Sequence, residues 1–171
     1  MSQTIDRPAS LQAIVRALAC CAIAGGLLRI GDSFTPDRLS AGTSALLYLV
    51  TDIFMLAGMA GIWLTRRRTL GFSGMAGLAI FVAGILMVRA SAFGVGGYQL
   101  GATVALLGFA AYSIETLVRR NAAPWAPLLW LLALVIGIAG ALGYESETAT
   151  FWAGIAFGAG FVAAGVEMLS A

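Results

Sequence analysis

The sequence predicts an all-α fold: a polytopic membrane helical bundle of six transmembrane helices, forming a single integral membrane domain over residues 1–171. Three observations carry this. Of the 171 residues, 60% are hydrophobic and 11% charged, whereas a water-facing domain carries about 25% charged residues. Such a chain cannot cover itself against water, so its solvent is lipid. Residues 43–68, TSALLYLVTDIFMLAGMAGIWLTRRR, join about twenty apolar residues, enough to cross roughly 30 Å of hydrocarbon, to an arginine triplet that stops the span. Similar apolar runs recur along the chain, separated by short segments of Gly, Pro and charged residues.

The elements follow in order. Residues 1–8 are a polar tail ending in Arg7-Pro8, and the first helix is expected over 9–30. The apolar run from about Leu11 is too long for a signal h-region and is expected to stay in the protein. Alanine at position 17, where a lipobox wants an aliphatic residue such as leucine, argues against lipidation of Cys20. Residues 31–42, GDSFTPDRLSAG, mix turn formers with both charges and read as an aqueous loop. The second helix is expected over 43–65 and the third over 71–93, with Gly94-Val95-Gly96-Gly97 as the turn after it. Without a following Gly-Lys-Ser/Thr, that glycine run is no phosphate cradle, and no nucleotide site is expected. The fourth helix, 98–118, stops at Arg119-Arg120. Pro124 and Pro127 mark the entry to the fifth, 125–143, and residues 144–148, YESET, form an acidic loop before the sixth, 149–169.

Arginine bias gives an orientation. All ten basic residues are arginine, and Arg7, Arg66 to Arg68, Arg119 and Arg120 fall on one side, with Arg29, Arg38 and Arg89 on the other. By the positive-inside rule the first group is cytoplasmic, placing both termini in the cytoplasm of a cell with this protein in its inner, or plasma, membrane. Trp63 and Trp125 on that side, and Tyr144 and Trp152 on the other, stand at interfacial depth.

Residues 108–117 (GFAAYSIETL) and 160–169 (GFVAAGVEML) repeat Gly, Phe, Ala, Glu and Leu in register, the mark of an internal repeat. Gly58, Gly61 and Thr65 keep the spacing of Gly108, Ala111, Glu115 and of Gly160, Ala163, Glu167. The chain therefore reads as three tandem two-helix hairpins, about 9–68, 71–120 and 124–171. Each second helix carries a lane of small residues ending in a polar group, because positions three and four apart share a helical face. Gly154 and Gly158 extend the lane in the last helix. In lipid, close backbone approach along such lanes holds helices together.

The absence of lysine and histidine excludes a Schiff base, His-ligated haem, an imidazole metal site and a histidine general base. Adjacent Cys20 and Cys21 suit neither a redox pair nor a zinc site. No cofactor and no metal are expected, and arginines in short clusters without interleaved aromatics do not make a nucleic-acid surface. What chemistry there is rests on charges inside the helices: Asp52, Arg16, Glu115, Glu167, Arg89, Arg29 and the nearby Tyr48. Glu115 is four residues before Arg119, a favourable pairing, and reads as a surface pair. Glu167 lacks a cation on its own helix, and Arg16 is its expected partner by depth, clasping the first hairpin to the last. Asp52 is expected to pair with Arg29 or Arg89. The leading function is a non-catalytic accessory, scaffolding or assembly subunit that binds a membrane-protein partner or a second copy through its Gly/Ala faces. The alternatives are a small-solute or ion transporter or channel with a central site at Asp52 and Arg16, and an intramembrane enzyme using Asp52 and Tyr48.

Overall fold

The computed structural model describes residues 9–34, 41–91, 97–143 and 146–170. They form six helices, α1 (Ala9–Ser33), α2 (Ala41–Arg66), α3 (Phe72–Ser91), α4 (Tyr98–Arg119), α5 (Trp125–Ala141) and α6 (Ser146–Ser170), with no strand among the described residues. Five of them are long and apolar enough to cross a membrane, while α5 is apolar but 17 residues long. The chain is a multi-pass helical membrane bundle.

Two helices run into segments that read as loops. In α1 the helix continues through Gly31, Asp32 and Ser33 because Arg29 pairs with Asp32 at 2.6 Å and Ser33 Oγ donates to the Arg29 carbonyl. Helical geometry brings residues three and four apart together, so these polar groups are satisfied without leaving the helix. Ser146, Glu147 and Thr148 form the first turn of α6, where an acidic side chain faces the positive end of the helix dipole. Tyr144, Arg7, Arg38 and most of the Gly94–Gly97 turn lie outside the described residues.

Sequence-adjacent helices pack as hairpins, α1 on α2, α3 on α4 and α5 on α6; α1 also packs along α6, and α4 along α5. By contrast α2 meets α3 and α6 only sparsely. Close approach follows the small residues. A Cβ added at Gly108 of α4 would stand 2.6 Å from the Gly77 carbonyl of α3, and one at Gly158 of α6 would stand 2.5 Å from the Gly26 carbonyl of α1. Only glycine lets these backbones meet.

The centre of α3 to α6 is filled by rings. Phe81, Phe109, Tyr112, Trp130 and Phe161 are all essentially inaccessible. Phe109 stacks on Trp130 at 4.3 Å and 21° and meets Phe161 edge-on at 5.5 Å. Phe157 completes the group, 5.6 Å from Phe109. Stacked and edge-to-face pairs of this kind add about 0.5–1.5 kcal/mol each beyond the area they bury.

Candidate functional site

The buried polar groups gather mainly at the arginine-rich end of the bundle and, further along, around Asp52 midway along α2. At the arginine-rich end α3 starts without a side-chain acceptor of its own, and its first amide groups need partners. Glu115, reaching across from α4 and 7% exposed, supplies them. Its Oε1 accepts from the Gly71 amide, and its Oε2 accepts from the Ser73 hydroxyl and the Gly74 amide. Arg119 Nε stands 2.8 Å from Oε1. The carboxylate caps the neighbouring helix and meets its dipole with negative charge, so Glu115 is a buried cap, where the sequence suggested a surface pair.

A second glutamate does the same work one hairpin later. Glu167 of α6 accepts at Oε1 from the Ala123 amide at 2.9 Å, just ahead of α5. Gly71 to Glu115 and Ala123 to Glu167 both span 44 residues. Glu167 Oε2 is 2.5 Å from an Arg66 terminal nitrogen, and the other terminal nitrogen of Arg66 donates to the Tyr112 hydroxyl at 2.5 Å. Arg66, at the C-terminus of α2 and 6% exposed, therefore joins α2, α4 and α6.

The expected partner of Glu167, Arg16, is exposed on the outer side of α1. Val15, Ala19, Ala22 and Gly26 set the inward face of α1, and this rotation carries Arg16 away from α6. The first hairpin is clasped to the last as the sequence suggested, but by Arg66. Nothing in the triplet Arg66-Arg67-Arg68 distinguishes its first member. Tyr112, one turn before Glu115 in the recurring segment, is the signal that could have pointed to the cluster.

Further along the bundle Arg89 Nε of α3 pairs with Asp52 Oδ2 of α2. Asp52 is 7% exposed, and the Arg89 guanidinium lies 5.8 Å from the centre of the Tyr48 ring, within range of a cation–π contact. Of the two arginines considered for Asp52, Arg29 is taken by Asp32. The structure thus brings Asp52, Arg89 and Tyr48 together, and separately Glu115 with Arg119 and Glu167 with Arg66; Arg16 and Arg29 join none of these groups.

The small-residue lanes are spent inside the bundle. Gly58 abuts Ala22, Gly61 abuts Leu18 and Met168, Gly154 abuts Ser33, and Gly160 abuts Trp130. Gly108 and Gly158 make the backbone contacts already described, Ala111 lies against Gly77, and Ala163 packs on the core. The hydroxyls of Thr51, Ser113 and Thr116 and the indole nitrogen of Trp130 are buried with no hydrogen-bond partner among the described residues. No three metal-ligating side chains cluster among the described residues, and Cys20 and Cys21 are free.

Chemically, each carboxylate of Asp32, Asp52, Glu115 and Glu167 is held against a guanidinium. The pairs neutralise charge, cap helices and tie one hairpin to another. An arrangement of this kind is a set of fastenings. Comparison of the chain with known protein families, with characterised proteins and with solved structures finds no match in any of the three.

Proposed function

We propose that this chain is a non-catalytic accessory subunit of a bacterial-type inner membrane, seated with both ends in the cytoplasm, whose work is to present an apolar helix surface to a membrane-protein partner. The observation that carries this is the use made of its polar groups. The intramembrane acids that a transporter would turn toward a solute are engaged in ion pairs, Asp52 and Glu167 with arginines of other helices and Glu115 with Arg119 of its own, and the interior between α3 and α6 is packed with aromatic rings. The glycine and alanine lanes are engaged within the chain, so the partner surface must be sought elsewhere than the sequence suggests.

That surface is the outer side of α5. Its residues Leu128, Leu132, Val135 and Ile138 are 47–63% exposed and follow one another at helical spacing. At 17 residues α5 is about 25 Å long, shorter than a hydrocarbon core of roughly 30 Å. A short apolar helix is accommodated by thinning the bilayer or by association with another protein, and association gives α5 a use. The two like-built caps, each an Oε1 accepting an amide 44 residues upstream, support reading the last two hairpins as repeats of one unit. Repeats need not bind partners equally, and α5 differs from α3 in carrying no ionisable residue.

The test is extraction from native membranes in a mild detergent, followed by native electrophoresis. A stoichiometric second polypeptide, lost on Leu132→Trp while the variant keeps its thermal stability, is the expected result. Migration as a bare monomer, together with solute flux in proteoliposomes that Asp52→Asn abolishes, would favour transport instead.

A further inference from the structure

The arginine-rich end carries more cation than its ion pairs consume. The turn after α2 contains Arg67 and Arg68, and the end of α4 contains Arg119 and Arg120, all four exposed. The carboxylates described at this end are Glu115 and Glu167, and both are already committed, the first to a helix cap and Arg119 and the second to Arg66 and the Ala123 amide. Arg119 gives its Nε to Glu115, and its side chain stays 53% exposed. Positive charge therefore accumulates on the surface of the end without a balancing acid among the described residues.

The two turns are fastened together. Asn121 Nδ2 donates to the Thr69 carbonyl at 3.1 Å, and each of these residues directly follows an arginine, Arg120 and Arg68. Thr69 is itself held by bonds from its amide and hydroxyl to the Arg66 carbonyl, at 2.8 and 3.0 Å. Arg120 adopts a left-handed backbone, φ 51°, which turns the chain sharply at the end of α4. Arg67 is braced on the Trp63 ring at 5.1 Å. The helices that follow the two turns begin with aromatic residues, Phe72 of α3 and Trp125 of α5, 90% and 68% exposed. Aromatic rings at a helix end in a membrane protein mark the headgroup level.

We infer that Arg67, Arg68, Arg119 and Arg120 form a binding site for the headgroup of an anionic phospholipid, with Phe72 and Trp125 set between its acyl chains. The planar guanidinium fork matches a phosphate's oxygens bidentately. Basic clusters at the ends of membrane helices attract anionic lipid, and here the cluster is built on two bonded turns, each followed by a helix that starts with an exposed ring. Zwitterionic lipid offers the same phosphate but brings its own cation, which the four arginines repel. The occupant is therefore distinguished by net charge. The site stands whether or not α5 carries a partner.

The experiment reads tryptophan quenching by brominated acyl chains. Protein carrying Trp152→Phe, which silences the opposite end, is reconstituted in phosphatidylcholine vesicles. A minor fraction of the lipid is then replaced by brominated phosphatidylglycerol or by brominated phosphatidylcholine. Trp63 and Trp125 report, while Trp130 is buried and gives a constant background. Stronger quenching by the brominated phosphatidylglycerol is expected, and Arg67→Gln/Arg68→Gln/Arg120→Gln should remove that preference, by up to about fivefold for each arginine. The matching lysine variant should retain most of it. All three positions are exposed, and near-ultraviolet circular dichroism of the aromatic core checks that the variants fold alike. Equal quenching by the two lipids in the starting protein, or a preference that survives the triple glutamine variant, would overturn the site. Loss of the preference on adding inorganic phosphate at constant ionic strength would also overturn it, assigning the arginines to a soluble anion.

Discussion

Arg66 is the residue whose removal should be felt most widely, because one guanidinium reaches both the Tyr112 hydroxyl and Glu167. Its side chain is 8% exposed and that of Glu167 is 24% exposed. Burying a charge is costly, and leaving it buried without its partner costs about 3–5 kcal/mol in a dry site. Glu167→Gln should fall toward the lower end of that range, since water reaches its carboxylate. Arg66→Gln should destabilise by a similar amount, freeing Glu167 near the negative end of its own helix. The two groups spend most of their energy on each other, so the double variant should lose less than the sum of the singles, with a coupling of about 1–3 kcal/mol. Denaturant unfolding of the four proteins in detergent measures it. Additive losses within about 0.5 kcal/mol would mean that Arg66 and Glu167 act separately. The importance of Arg66 was hidden in the sequence, where it is one of three consecutive arginines that all read as a topogenic stop.

At the scale of the helix, length and hydropathy were legible and rotation was not. The runs of apolar residues placed all six helices within a few positions, because crossing a bilayer demands an unbroken apolar stretch. In water the phase of a helix would show as one apolar and one polar face. In lipid both faces are apolar, and so residues such as Arg16 could be given a depth but not a direction. The small residues held the missing information, since backbones approach where side chains are absent, but which lane faces which helix is settled only by packing. Gly108 and Gly42 show the consequence. A methyl group at Gly108 would press on the Phe81 amide and the Gly77 carbonyl of α3, whereas one at Gly42, in the first turn of α2, meets nothing within 4 Å among the described residues. Gly108→Ala should therefore force α3 and α4 apart and destabilise by about 1–3 kcal/mol. Gly42→Ala should stabilise by up to about 1 kcal/mol through helix propensity alone. Thermal unfolding of the two variants in the same detergent should move in opposite directions; a shift of the same sign would show that α3–α4 contact is not set by Gly108.

Across the whole molecule the fastening is uneven, and the seam between α2 and α3 is its loosest line. The α2 glycines at 58 and 61 turn to α1 and α6, and the α3 glycines at 77 and 84 turn to α4. None brings α2 and α3 together, and the contact between these two helices is sparse. The polar contact described across the seam is Asp52, midway along α2, with Arg89 in the last turn of α3, while Arg66 at the end of α2 reaches past α3 to Tyr112 and Glu167. A clasp across a loosely packed pair should govern how far the pair can part. Removing its charge by Asp52→Asn should thus widen the range of α2–α3 separations while leaving α3–α4, locked by backbone contact, as it was. Spin labels at Ile53 and Leu86, both more than half exposed, report on the first pair, and labels at Leu86 and Leu100 report on the second, with Cys20 and Cys21 replaced by alanine. Pulsed electron resonance in lipid nanodiscs should show a broader 53–86 distribution in the Asp52→Asn protein and an unchanged 86–100 distribution. Identical 53–86 distributions with and without the aspartate would mean that apolar packing alone holds the seam, and that the Asp52–Arg89 pair serves only to satisfy its own buried charges.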